Sequence, residues 1–164
     1  MMKILRTFIL VGLDVLFVIL CVFASGISTG FSEIKLENLQ IGKSYSTNKD
    51  AGLPLEIVNT GENPIDLKIE LLTAGPSELK EGFEPVPDLA WIKLEKDEFK
   101  NIKPKNSAVT DVVISIPNDE KYRGKKYQVY IWSHTVGTSV GVGLKSRLLL
   151  NMDKDKHNKA GKLE

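Results

Sequence analysis

Several stretches of this chain alternate apolar and polar residues with a period of two, and nothing after Gly26 repeats with the period of a helix. Ile65, Leu67, Ile69 and Leu71 alternate with Asp66, Lys68, Glu70 and Leu72. Ala108, Thr110, Val112, Ile114 and Ile116 alternate with Ser107, Val109, Asp111, Val113 and Ser115. Tyr127, Val129 and Ile131 alternate with Gln128, Tyr130 and Trp132. In a strand, successive side chains point to opposite faces, so each run can bury one face and solvate the other. A chain built this way must stack sheets.

The intervening residues supply turns. Asn59-Thr-Gly-Glu-Asn-Pro64 and Lys103-Pro-Lys-Asn106 contain residues that accept positive φ or pre-set negative φ. Gly30–Asp50 reads as a first strand that bends or bulges near Gly42, and Leu53–Val58 as a second. Trp91–Leu94 and Phe99–Ile102 add two short strands, and Leu144–Met152 a last one beyond a glycine-rich hairpin loop, Ser133–Gly143. Thr73–Asp88 carries Pro85 and Pro87, which lack backbone donors, and reads as a crossover loop between sheets. Its length, about 16 residues, exceeds the usual connection and marks it for attention. The expected fold is all-β, an immunoglobulin-like antiparallel β-sandwich of about 7–9 strands spanning residues 31–152, preceded by an N-terminal signal or anchor helix.

Lys3 and Arg6 precede an apolar run, Phe8 to Phe23, which ends in Ala24, Ser25 and Gly26. Positive flank, apolar run and small-residue exit are the parts of a secretory signal, so residues 1–26 are read as a signal peptide and the protein as exported, periplasmic or extracellular. Val22-Phe-Ala24 and Ala24-Ser-Gly26 each fit a small-x-small cleavage site. The run also approaches the ~17-residue minimum for a spanning helix, so an uncleaved anchor through residues 8–23 is the alternative and the one expected membrane contact. Cys21, the only cysteine, lies inside this segment, leaving the mature chain without thiol or disulfide. Asp153–Glu164 is polar and reads as a disordered tail.

The whole chain of 164 residues has 22 basic and 21 acidic side chains, and loss of Lys3, Arg6 and Asp14 with the signal leaves 20 of each. A neutral domain has no broad electrostatic attraction for nucleic acid.

Trp91-Ile-x-Leu, Phe99-x-x-Ile-x-Pro104, Val112-x-Ile-x-Ile-Pro117, Gly124 and Tyr127-x-Val-x-Ile131 resemble exported bacterial immunoglobulin-like or fibronectin-type-III-like modules. The resemblance covers about Trp91 to Trp132 and implies fold more than function, since that architecture hosts many roles. It implies that Tyr127 is a tyrosine-corner residue, with its ring inside and its hydroxyl on upstream backbone. The paired cysteines of antibody domains are absent. Pilus-assembly chaperones share the sandwich, but their client-clamping Arg and Lys cannot be placed here.

No catalytic, cofactor or metal constellation stands out. Gly137–Ser146 is glycine-rich, but Leu144 stands where a phosphate loop needs Gly before its Lys, and a strand follows. His134 and His157 lack metal-ligand spacing, and no G-x-S-x-G elbow supports a small secreted hydrolase. Alternation supplies the one candidate surface. With Tyr127, Val129 and Ile131 inward, and Trp91 also in the core, Gln128, Tyr130 and Trp132 point outward beside Lys145 and Arg147. An outward Tyr–Trp pair with flanking cations suits a protein hot spot, or a sugar ring in a carbohydrate-binding module. The competing reading is that Trp132 is covered by Thr73–Asp88 or stacks on Arg147. The expected function is a non-catalytic exported module, an accessory component of an envelope or extracellular assembly, whose partner is another protein. It would bind through this face or by pairing of an edge strand.

Overall fold

The computed structural model describes residues 26–138, 141–154 and 162–163. The apolar N-terminal segment, Cys21, His157 and most of the polar tail lie outside them.

Thirteen strands are described, several of them very short. They are β1 (Ile27–Ser28), β2 (Glu33–Leu39), β3 (Ser44–Ser46), β4 (Leu55–Asn59), β5 (Ile65–Thr73), β6 (Glu84–Pro85) and β7 (Ile92–Leu94). Then come β8 (Glu98–Ile102), β9 (Ser107–Thr110), β10 (Val112–Ser115), β11 (Lys126–Val136), β12 (Gly143–Met152) and β13 (Lys162–Leu163). One layer has the order β13-β2-β12-β11-β5-β8, with β6 alongside β11. The other consists of two three-stranded pieces, β1-β4-β9 and β3-β10-β7, joined end to end because only Asp111 separates β9 from β10. The inward faces meet in a core that includes Leu36, Leu55, Ile57, Leu67, Ile69, Ile114, Ile131, Leu148 and Leu150. This is an immunoglobulin-like β-sandwich. Among the described residues no helix is long and apolar enough to cross a membrane.

Trp91, Tyr127, Val129 and Ile131 are 5%, 3%, 0% and 0% exposed. The Tyr127 ring meets Trp91 edge-on at 5.5 Å and Tyr122 at 6.3 Å. No hydrogen bond from its hydroxyl to upstream backbone occurs among the described residues, so the tyrosine-corner expectation holds for the ring and not for the hydroxyl.

Several boundaries differ from the sequence reading. The bent first strand is two strands in different sheets: β2 pairs parallel with β12, and β3 pairs with β10 after a turn in which Gly42 has φ +72. The hairpin loop is shorter than Ser133–Gly143, since β11 continues to Val136. Glu84–Pro85, within the supposed pure loop, pairs parallel with Tyr127–Gln128. Lys162–Leu163 pair with the outer edge of β2, at Glu37 and Leu36, although they belong to the expected disordered tail.

The largest difference lies at Asp111. Residues 107–116 keep one alternation throughout, yet β9 pairs with β4 while β10 pairs with β3 and β7. The stretch between Ser46 and Leu55 therefore faces only Thr110–Val113, and its surplus residues loop out as a one-turn helix, α1 (Thr47–Ala51). Ser46 caps α1 by accepting the Lys49 amide, and Gly52 ends it in the left-handed region at φ +66, where a side chain would be strained. Asp111, on an outward position, is covered by this insertion and only 3% exposed. Its carboxylate accepts hydrogen bonds from Ser46 Oγ at 2.5 Å, Thr47 Oγ1 at 3.2 Å and the Asn48 amide at 2.9 Å. On the other side of the strand the Asp111 carbonyl accepts the Glu95 amide at 3.1 Å, and Thr110 Oγ1 accepts the Lys96 amide at 2.9 Å. One break thus fixes α1 on one flank and the crossing from β7 to β8 on the other.

Burial on its own raises the Asp111 pKa, but the donors from Ser46, Asn48, Thr47 and Val112 outweigh it and hold the group below the usual 3.8. The folded value is depressed, so the stabilisation is fully present above pH 3.8 and is lost as pH falls through the folded value. Asp111→Ala strands three donors and is expected to cost about 2–4 kcal/mol in urea unfolding at neutral pH. The difference from wild type should shrink in acid below the usual aspartate pKa.

Candidate functional site

On β11, Gln128, Tyr130 and Trp132 do lie on the face opposite Tyr127, Val129 and Ile131. That face is not open. Gln128 is 0% and Tyr130 7% exposed, and Leu149 beside them is 2% exposed. The cover is residues 74–86, which leave the sheet where β5 ends opposite Val129 and return as β6 opposite Tyr127. Ala74 and Val86, 2% and 4% exposed, sit at the two ends of this excursion.

The Gln128 amide holds the cover down from beneath. Its Nε2 donates to the Glu78 carbonyl and its Oε1 accepts the Lys80 amide, both at 2.9 Å. Its main-chain carbonyl accepts the Val86 amide at 3.1 Å. Tyr130 Oη donates to the Glu78 carbonyl at 3.3 Å and accepts from Arg147 Nη2 at 3.1 Å. The cations proposed as binding groups are engaged in the same closure. Lys145 Nζ lies 2.9 Å from Glu78 Oε1 and 5.1 Å from the Tyr130 ring centre. Arg147 Nη1 lies 2.8 Å from Glu33 Oε2, and Glu33 also pairs with Lys80 of the cover. Lys80 first, then Arg147, holds the Glu33 carboxyl below the usual carboxylate range, and Lys145 does the same for Glu78 with help from the Gly75 amide.

The sequence reading of Gln128, Tyr130 and Arg147 as free binding groups is therefore corrected. Alternation fixes the face a side chain points to, but not what lies over that face. Of the five residues, Trp132 and Lys145 remain at the rim. Trp132 stacks on His134, with ring centres 5.9 Å apart and planes inclined by 22°. The Trp132 ring lies against Gly143, where a Cβ would stand 2.5 Å from the indole and 3.1 Å from the His134 Cβ. His134 Nε2 is 3.0 Å from Glu70 Oε2, and Lys68 Nζ is 3.0 Å from Glu70 Oε1. Lys68 first, then His134, keeps the Glu70 carboxyl below the usual range.

A second feature, unforeseen in the sequence, opens on the side of the sandwich. After β7 pairs with β10, the chain crosses at Glu95–Asp97 and β8 joins β5 only from Ile65 to Lys68. The Ile69 amide donates to the Asp97 carbonyl at 2.8 Å, and there the ladder stops. Residues of a strand direct their backbone groups alternately to either side, so Leu71 and Thr73 aim theirs the same way as Ile69. No backbone partner meets them on that side among the described residues. The gap between this stretch and β7 is a cleft of about 430 Å³ lined by Lys68, Ile69, Glu70, Leu71, Ile92, Lys93, Leu94 and Asp97. Leu71 and Leu94, half-buried against the core, show apolar surface within it. Among the described residues no three His, Cys, Asp or Glu side chains converge to hold a metal.

No protein-family model matches the chain, and no curated protein matches it in sequence. Among solved structures it is similar to the ASH/PapD-like domain 7 of human CEP192, at 9% identity and TM-score 0.56, over 79% of this chain and 87% of that one. It is similar to a chain of the Salmonella enterica SafA pilin–SafB chaperone complex, at 10% identity and TM-score 0.51, over 82% of this chain and 58% of that one. It is also similar to a Bacteroides ovatus protein for which carbohydrate binding has been suggested, at 12% identity and TM-score 0.53, over 77% of this chain and 37% of that one. At these identities the likeness concerns the fold.

Gln128→Ala removes both side-chain bonds to the cover. A loss of about 1–3 kcal/mol in global stability is expected. Proteolysis should speed up within residues 79–83, read by limited digestion and mass spectrometry.

Proposed function

We propose that this chain is a non-catalytic, exported binding module. It would serve as an accessory component of an envelope or extracellular assembly and engage another protein by strand addition to β5. The unfinished ladder beyond Ile69 carries this reading, because main-chain groups without a backbone partner among the described residues stand next to a cleft in which Leu71 and Leu94 show apolar surface among charged side chains. An extended segment gains backbone hydrogen bonds from such an edge and specificity from the pockets that take alternate side chains. The other long edges are less suited: β8 is charged and bulged, with Asn101 at φ +53, and β2 is partly occupied by β13. Association of a pilin with a chaperone in the Salmonella enterica complex is consistent with protein partners for this scaffold.

Thr73 is exposed and directs its N–H away from β11, so proline there removes a donor from the open edge while sparing the β11 ladder. Crosslinked pull-down of tagged full-length protein from its native cells should recover a stoichiometric envelope partner. Thr73→Pro should lower that recovery about tenfold, matching ~1.4 kcal/mol, the scale of one net hydrogen bond, with an unchanged unfolding midpoint. Undiminished recovery counts against strand addition.

A carbohydrate-binding reading rests on a separate observation, the Trp132–His134 stack beside Glu70 and Lys68. If a glycan array yields a ligand, Trp132→Ala should abolish the ligand-dependent change in tryptophan fluorescence without lowering stability. A ligand bound equally by Trp132→Ala would sink that reading.

A further inference from the structure

The cleft beside β5 is bordered by a second open edge, that of β7. The Glu95 amide donates to the Asp111 carbonyl at 3.1 Å and Lys93 stands opposite Val113, so both face β10. By alternation the backbone groups of Leu94 point the other way, toward the cleft that Leu94 lines. The Ile92 amide is already bonded to the Leu89 carbonyl in the short turn Leu89–Trp91 that leads into β7. Among the described residues no strand pairs with β7 on its cleft side. Leu71 on β5 and Leu94 on β7 thus present open ladder from the two layers of the sandwich to one space.

Alternation also sorts the lining. Ile69 and Leu71 point inward from β5 and Ile92 and Leu94 from β7, whereas Lys68, Glu70 and Lys93 form the lips. Lys68 and Lys93 balance Glu70 and Asp97, so the lips favour neither sign of charge. The inner space does discriminate, because an ionised side chain there loses its water among apolar residues and gains no partner. A strand entering the cleft alternates in the same way. Its residue opposite Leu71 shares the face of Leu71, enters the space beside Leu94 and gives both backbone groups to β5, while an adjacent residue turns its own toward Leu94. Only one such inner position is enclosed: at Ile69 the ladder is closed by Asp97, and at Thr73 it reaches solvent.

We propose that the ligand of this cleft is an extended peptide segment with a single buried apolar residue opposite Leu71, β-branched to suit the pleat, hydrogen-bonded to both layers through Leu71 and Leu94. The proposal rests on the reading of β5 as a strand acceptor. Its probe is a phage-displayed library of random linear peptides, selected on the full-length protein. The selected peptides should share one Val or Ile position. In a synthetic copy, Asp at that position should weaken binding about tenfold or more, and Ala at either neighbouring position by less than about threefold. Amide exchange at Leu71 and at Leu94 should slow together when the peptide is bound. A peptide that is lost on Thr73→Pro, yet binds equally with Asp at the inner position, overturns the proposal and leaves strand addition standing. So does a peptide that protects Leu71 and leaves Leu94 unchanged. Failure to select any peptide, or selection of peptides that bind Thr73→Pro as well as wild type, overturns both readings.

Discussion

A carboxylate can be buried in a sheet only if several donors converge on it, and the donors must come from chain that is itself held in place. Asp111 meets that condition through Ser46, Thr47 and Asn48, which are available because the facing strand loops out as α1. The same interruption frees the Asp111 carbonyl and the Thr110 hydroxyl to hold Glu95 and Lys96 on the opposite flank. Those contacts set the point at which the chain leaves β7 and crosses to β8. Since β8 then covers only the first part of β5, the crossing also decides where the larger sheet is left open. A local electrostatic requirement thus propagates into an open stretch of the β5 ladder beside the apolar surface of Leu71 and Leu94.

The two faces of that larger sheet consequently differ in kind from the usual core and solvent sides. One packs in the sandwich. The other carries a small second core of Gln128, Tyr130 and Leu149 beneath residues 74–86, rimmed by the Glu33, Glu78, Lys80, Lys145 and Arg147 ion pairs. Exposed pairs of this type contribute little individually. The buried amide of Gln128 does more, because each of its bonds reaches main chain of the cover. The broad outer face is closed by this arrangement, which leaves the side of the sandwich as the proposed surface for recognition.

The strands themselves were legible. Alternation in Ile65–Leu71 and Tyr127–Ile131 marked the inward residues because burial on one face of a strand leaves a direct period-two imprint. What covers an outward face leaves no such imprint, which is why both Asp111 and Gln128 read as solvent positions. The split at Asp111 was hidden for a further reason. Ala108, Thr110, Val112 and Ile114 stay in phase across it, so no slip in periodicity announces that the partners change. An acidic residue within a β-branched run, with Ser-Thr-Asn in a nearby capping sequence, was the available signal. A helix of one turn is too short to show any period. The open stretch of β5 was likewise unreadable, because edge status depends on which strands arrive beside it.

The most direct measurement is residue-resolved amide hydrogen exchange along β5 in the mature, unliganded protein. Leu71 and Thr73 should exchange orders of magnitude faster than Ile69, whose amide is bound to Asp97, and faster than Glu70 and Leu72, which face β11. Protection of Leu71 and Thr73 equal to that of Ile69 would mean that the ladder is closed, and the proposed strand-acceptor edge would have to be abandoned.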